Sequence, residues 1–379
     1  MRFIVAPDSF KGSLSAVEAA EAMERGVRAV FPLAAVQKVP VADGGEGTAA
    51  ALVASAGGTL VERDVSGPLG RPVKAFFGLL ADGRTGVVEV AAACGLPLVP
   101  VEERNPEKTT SYGVGELVRA ALDRGCRKLI IGLGGSSTND GGMGMAAALG
   151  ARFLDRKGHS VEPLVSSLER VAVVDLTGLD PRLQEVELFG ACDVGSPLCG
   201  PGGASLVFAP QKGATAGQAA RLDGLLSRLA GLIRETNGRE VASLPGAGAA
   251  GGIGAGVAGL LGGRLVSGSD LILEVSRLAE HLALGAELVL TGEGEINRQT
   301  VLGKAPGAVA RLAARYGVPV VAVGTRGPGY EEAYGQGIGA VHSIIPRPMS
   351  LAEAMGDASR LLAEGVAELL RVWRLGRRD

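Results

Sequence analysis

The sequence predicts an α/β protein of two domains, a discontinuous, doubly wound domain with a second α/β domain inserted into it. Three observations lead there. The chain has 379 residues, more than one hydrophobic core usually serves. In its first and last thirds, short apolar runs pass into glycine-rich polar loops and then into helical segments, the pattern of a parallel sheet. Between those thirds the pattern changes to β-rich runs broken by Gly67-Pro68 and Asp82-Gly83, as in antiparallel hairpins. The expected division assigns 1–57, 106–150 and 285–379 to the doubly wound domain and 58–105 and 151–284 to the second. The active site is expected in the cleft between the two.

In chain order, the strand Phe3-Ile4-Val5 enters a polar loop, and a helix then begins at a capping box of Ser15 and Glu18. Val17, Ala20, Met23, Val27 and Val30 follow helical spacing, so one face is buried. A strand over 36–41 meets the loop 43–48 and a helix over 49–56. Strands over 59–65, 73–80 and 86–90 form the hairpin region, followed by a helix over 108–124 and a strand over 129–131. The middle holds strands over 171–176, 186–189 and 206–208 and a helix over 217–236. The last third returns to alternation: a strand over 288–290, a helix over 307–316, and strands over 318–323 and 340–345. A final helix starts at a second capping box, Ser350 with Glu353. It ends in Arg371, Arg374, Arg377 and Arg378, which suit the negative end of its dipole.

Composition removes several functions. Hydrophobic residues are 46%, charged residues 21% and the net charge −2, the values of a soluble protein with no electrostatic footprint for nucleic acid or membrane. Aromatic residues, at 3%, are too few for base-stacking platforms. Cys94, Cys126, Cys192 and Cys199 form no CxxC pair, and His159, His281 and His342 lack metal-ligand spacing. These residues read as structural, in a reducing, cytoplasmic setting. No signal peptide is visible, and the uncharged stretch 246–263 is glycine- and alanine-rich, so it reads as a buried turn and helix.

Five polar loops can carry chemistry: 8–13, 43–48, 132–144, 193–212 and 291–304. No G-x-x-x-x-G-K-[ST] pattern exists, which excludes a conventional P-loop kinase, and no strand–GxGxxG–helix unit is convincing. Asp8 and Ser9 could simply form a turn, yet Lys11 between Phe10 and Gly12 has no role in one. Asp43 and Glu46 suit a helix N-terminus or a metal. In 132–144, Ser136, Asn139 and Asp140 crowd a turn between strand and helix, where backbone N–H groups favour an anion. Asp193 at a strand end is placed as a general base would be. Glu293 and Glu295 among glycines could hold Mg²⁺ through water, and Lys304 could neutralise a transferring phosphate. An acid- and glycine-rich rim with isolated lysines is what phosphoryl transfer requires.

The motifs APDSFKGSLSA (6–16), PVADGGEGT (40–48), GLGGSSTNDGG (132–142), ACDVGSPLCGPGGAS (191–205), PQKGA (210–214), GAAGG (248–252) and TGEGEINRQT with GKAP (291–306) resemble the glycerate kinases of the bacterial glycerate 2-kinase type. The resemblance runs in order through the whole chain. It implies ATP-dependent, Mg²⁺-assisted phosphorylation of D-glycerate, giving 2-phosphoglycerate, with the 3-phosphate or a non-catalytic relative as alternatives. It also implies a flavodoxin-like domain beside one likened to restriction enzymes, and a monomer or homodimer. The expected roles are Asp193 and Lys11 in catalysis; Asp8, Ser9, Ser136, Asn139 and Asp140 on substrate; Gly292, Gly294, Asn297, Gln299, Thr300 and Lys304 on nucleotide phosphates; and Asp43, Glu46 and Glu293 on metal. Asn297 stands where the family pattern has aspartate, keeping shape and hydrogen bonding but not charge. A GHMP-type small-molecule kinase shares only the glycine–serine loop.

Overall fold

The computed structural model describes residues 1–301 and 304–376, except the side chains of Gln299 and Val301. They divide into two compact α/β units: Met1–Asp43, Ala50–Gly57 and Ser269–Asp379 in the first, Gly44–Ala49 and Gly58–Gly268 in the second. No helix among the described residues is long and apolar enough to cross a membrane.

The first unit is built on a five-stranded sheet. Its spatial order is Ile338–Ser343, Val320–Arg326, Leu288–Ile296, Arg2–Pro7 and Ala35–Lys38, with every neighbouring pair parallel. Numbered within this unit, the order is 2-1-3-4-5, and its direction reverses between Arg2–Pro7 and Leu288–Ile296. A parallel sheet must be covered on both faces, and the period-2 alternation of its strands does this. Phe3, Val5, Leu288, Leu290, Val321 and Val323 pack with Met23, Val27, Leu362 and Val366 of helices Ala16–Val30 and Ala358–Leu375. Ile4, Ala6, Val289, Val320 and Ala322 face the other way, onto Val309 and Ala313 of helix Ala305–Ala314. Gly26 lets the first and last helices touch, because a Cβ there would lie 2.5 Å from the Ala363 carbonyl.

Both capping boxes form. The second starts only the short helix Leu351–Gly356, and the long helix Ala358–Leu375 begins afresh after Asp357. The expected single helix is thus divided at Gly356, a residue that weakens a helix interior by about 1 kcal/mol. Of the terminal arginines, Arg377 and Arg378 lie outside the described residues.

The second unit holds a six-stranded sheet in the order Arg264–Val266, Glu187–Ala191, Lys128–Gly132, Thr85–Glu89, Pro72–Leu80 and Gly58–Ser66. The first four are parallel and the last two antiparallel. Arg152–Leu154 and Val173–Asp175 form a separate antiparallel pair. Leu129, Ile131, Leu117, Met143, Met145 and Leu226 belong to one continuous core, drawn from the sheet and from helices Tyr112–Asp123, Met143–Ala148 and Ala216–Asn237.

Four expectations need correction. Segment 44–49, assigned by sequence to the doubly wound domain, belongs to the second unit, where Gly47 and Ala49 donate to Glu89. Segment 106–150, assigned by sequence to the doubly wound domain, belongs to the second unit, because Lys128–Gly132 pairs with Thr85–Glu89 and Glu187–Ala191. A strand–loop–helix pattern identifies a parallel strand but not which sheet it joins. Segment 269–284 moves the other way, since Leu273, Leu278 and Leu282 pack into the first unit's core. The run 206–208 is not a strand: Ala204–Phe208 is a one-turn helix after Gly203. Three apolar residues carry no period by which helix and strand can be told apart.

Candidate active site

In the first unit, functional side chains collect where the strand order reverses, the place where open α/β sheets bind ligands. Asp8 directly follows Arg2–Pro7, and its backbone N–H donates to the Gly292 carbonyl at 2.8 Å, which ties the loop to Leu288–Ile296. Its carboxylate, 3% exposed, accepts the Ser9 N–H at 2.6 Å. Burial, then the carboxylates of Asp43 and Glu293, push the Asp8 pKa up to about 8. Lys11 lies 3.7 Å from Asp43, and the charges of Asp43, Asp8 and Glu293 hold its ammonium above the usual lysine range.

Sequence placed 291–304 in a loop, but the strand continues to Ile296, with a register shift between Gly292 and Glu295. Such a bulge re-aims side chains. Glu293 accepts the Thr300 hydroxyl at 2.7 Å on one oxygen and the Lys304 ammonium at 3.0 Å on the other. Lys304 is the N-cap of Ala305–Ala314. A cation at the positive end of a helix dipole is unfavourable for the helix, and both suit an anion. Asn297 donates its amide to the Glu295 carboxylate at 2.7 Å and its backbone N–H to the Thr300 hydroxyl at 3.0 Å. Gly292 and Gly294 lie in the bulged strand, and the side chain of Gln299 is outside the described residues. A cavity of about 480 Å³ opens beside this cluster, lined in part by Ser9, Lys11, Glu293, Asn297 and Lys304.

In the second unit, the register aligns Glu89, Gly132 and Ala191 at the carboxyl ends of three neighbouring strands. The turn Gly44–Gly47 lies across these ends. A Cβ on Gly132 would meet the Gly44 carbonyl at 2.6 Å, so glycine is required there. Glu89 is buried and accepts the N–H groups of Gly47 at 3.0 Å and Ala49 at 2.6 Å. Burial raises its pKa, and exposed Glu46 adds to the rise. Asp193 stands two residues past Glu187–Ala191 and accepts the Ser267 hydroxyl at 3.2 Å.

The 132–144 loop is fixed from inside. Asp140, expected on substrate, is fully buried and accepts the Ser111 N–H and hydroxyl, both at 2.8 Å, and the N–H groups of Gly142 at 3.0 Å and Gly144 at 3.2 Å. Its carboxylate is taken up in holding the loop, which corrects the sequence reading. Asn139 donates to the Ser205 hydroxyl at 3.0 Å, and its buried carbonyl oxygen has no partner. Lys212 lies buried against the same loop, donating to the Ser136 hydroxyl at 2.9 Å and the Thr138 carbonyl at 2.6 Å. Burial drives its pKa down to about 8.

Lys212 and Glu89 are the residues sequence reasoning missed. Lys212 had a signal, since it is one of few lysines and sits in PQKGA; Glu89, at the end of an apolar run, had none.

A sheet-end cluster of carboxylates and lysines on an α/β scaffold belongs to the class of small-molecule phosphotransferases. The glycerate kinase family profile matches residues 3–374, and the chain belongs to that family. It is 50% identical over 363 residues to the glycerate kinase of Bacillus subtilis (strain 168), covering 96% of this chain and 95% of that one. To the glycerate 2-kinase of Escherichia coli (strain K12) it is 43% identical over 380 residues, covering all of both. A solved structure from Salmonella typhimurium LT2, provisionally named glycerate kinase 2, superposes with a TM-score of 0.88 at 44% identity, over 100% of this chain and 99% of that one.

Proposed function

We propose that this kinase transfers the γ-phosphate of ATP to the 2-hydroxyl of D-glycerate, giving 2-phosphoglycerate and ADP. The observation that carries this reading is the Glu293–Thr300–Lys304 cluster at the point where the strand order reverses, with Asp8, Lys11 and Asp43 beside it. The names of the relatives supply the acceptor. The 2-1-3-4-5 order of the first sheet supports a flavodoxin-like reading of that unit; for the second, the likeness to restriction enzymes rests on the family resemblance.

Roles follow from chemistry. Lys11 and Lys304 offset charge on the transferring phosphate, Gly294 and Asn297 line its approach, and Thr300 holds Glu293 in place. Asp193 accepts the proton of the glycerate hydroxyl, held in orientation by Ser267. Ser136 and Asn139 offer hydrogen bonds to the small acid, with Asp140 keeping their loop rigid, and Ser9 is a further candidate for contact with it.

The residues present fit Mg²⁺. Among the described residues no cluster of three His, Cys, Asp or Glu side chains is arranged to hold a metal alone. Mg²⁺ in kinases needs fewer, since one or two carboxylates hold it together with water and substrate phosphates. Burial, and after it the negative charge of Asp43 and Glu293, raises Asp8 to about 8; a divalent cation would relieve the charge among these carboxylates. Glu46 is a weaker candidate, being exposed on the 44–47 turn. When bound, Mg²⁺ screens phosphate charge. We place the enzyme in the cytoplasm as a monomer or homodimer with no nucleic-acid partner.

A coupled ADP-release assay tests the function: turnover is expected with D-glycerate, ATP and Mg²⁺ together. Binding of both substrates without ADP release would instead support a non-catalytic relative.

A further inference from the structure

We infer that the nucleoside end of the phosphate donor rests on an apolar wall made by 344–345 and the helix Leu351–Gly356, with its triphosphate directed to Lys11 and Lys304. The inference rests on the proposed kinase reading and adds to it a subsite that no sequence motif marked. The lining of the cavity beside the Glu293 cluster is of two chemical kinds. One is polar and charged, as described above. The other comprises Ile344, Ile345, Leu351, Ala354 and Met355, whose side chains offer no hydrogen-bonding group beyond a thioether.

Ile344 is buried in the first unit's core, with Ile345 and Ala354 packed against it, whereas Leu351 and Met355 are exposed. Leu351 is 76% and Met355 36% exposed, and no residue of the helix Leu351–Gly356 is buried. Single exposed apolar residues are ordinary, but a set lining one pocket next to lysines is a binding surface. The two kinds of lining also meet. Gly12, which follows Lys11, has φ +79°, and a Cβ there would come within 2.8 Å of the Met355 methyl. The turn that presents the ammonium needs glycine for its conformation, and it lies against the Met355 methyl.

Size and charge choose the occupant. About 480 Å³ falls in the range of cofactor-sized pockets and far exceeds a three-carbon acid, which has no apolar portion to cover Leu351 or Met355. A purine nucleoside triphosphate presents a flat apolar body at one end and a polyanion at the other. Glu293 and Glu295 in the polar lining would repel a bare triphosphate, so the donor enters with its divalent cation. The base is held by van der Waals contact and area burial rather than by side-chain hydrogen bonds.

The test uses the full-length enzyme and isothermal titration with two probes, Mg·ATP and Mg·tripolyphosphate, the second lacking base and ribose. Leu351→Ser combined with Met355→Ser is expected to weaken Mg·ATP by about tenfold or more and to leave Mg·tripolyphosphate and the KM for D-glycerate unchanged. Both side chains are exposed, so the double variant should fold, which its thermal melt checks. Lys304→Met should weaken both probes. Unchanged Mg·ATP binding by the double variant overturns the apolar wall even if wild-type enzyme phosphorylates D-glycerate, and so does equal loss of both probes. A wild-type enzyme whose Mg·ATP binding depends on the wall, but which makes no phosphoglycerate, upholds the subsite and overturns the kinase reading.

Discussion

The Lys212 ammonium donates to the Ser136 hydroxyl at 2.9 Å and the Thr138 carbonyl at 2.6 Å, so the glycine-rich loop 132–144 is pinned by a buried lysine from the Pro210–Lys212 turn. Burial lowers this group from its ordinary 10.5 to about 8. Between those values the unfolded chain binds a proton that the folded chain does not, so stability rises with pH across that window. The contribution is complete above 10.5 and is lost as pH falls through 8. Urea titrations of wild type and Lys212→Met from pH 7.5 to 10.5 should show the difference between them shifting in the wild type's favour as pH rises. A constant difference across the window would contradict a buried, depressed lysine.

Asp140 is assigned to the loop's internal structure. Asp140→Ala removes the acceptor for the Ser111, Gly142 and Gly144 N–H groups, and each buried donor left unpaired costs about 1–3 kcal/mol. The expected loss of stability is about 3 kcal/mol or more, read by chemical denaturation. Wild-type stability with a large rise in the KM for D-glycerate would return Asp140 to the substrate.

Glu293 and Lys304 are predicted to act as one unit on the donor phosphates. Lys304→Met should lower kcat by about 10²-fold or more and raise the KM for ATP, with the KM for D-glycerate little changed. Glu293→Gln should shift the Mg²⁺ concentration needed for half-maximal activity upward. Ordinary steady-state kinetics in both variants would remove this pair from the chemistry.

Asp193 is the proposed base. Asp193→Asn should cut kcat by about 10²–10⁴-fold with an unchanged thermal melt. Ser267→Ala, which removes the 3.2 Å hydrogen bond to Asp193, should have a smaller effect, about tenfold or less. If the Ser267 variant were as inactive as the Asp193 variant, Ser267 would itself have to touch substrate.

Local chemistry was legible in the sequence where it depends on neighbouring residues. The capping boxes at Ser15 and Ser350 and the hairpins of Gly58–Ser66, Pro72–Leu80 and Thr85–Glu89 are local patterns, and they form. The polar loops also stood out, because glycine with carboxylates and hydroxyls has few structural uses. What depends on distant pairing was not legible. Lys128–Gly132 reads as a parallel strand, but its place beside Thr85–Glu89 is set by tertiary contacts. The bulge that aims Glu293 requires Val320–Arg326 as partner. Lys212 and Glu89 gain meaning only from backbone groups 40 or more residues away. Leu351 and Met355 look like ordinary helix residues until the turn at Lys11 is placed beside them.

The most direct test of the central claim is ³¹P and ¹H NMR of the full-length enzyme incubated with D-glycerate, ATP and Mg²⁺. Stoichiometric ADP and a phosphate ester on carbon 2 are the predicted result. An ester on carbon 3 would contradict the assigned position, and the absence of any phosphorylated glycerate would contradict the kinase reading itself.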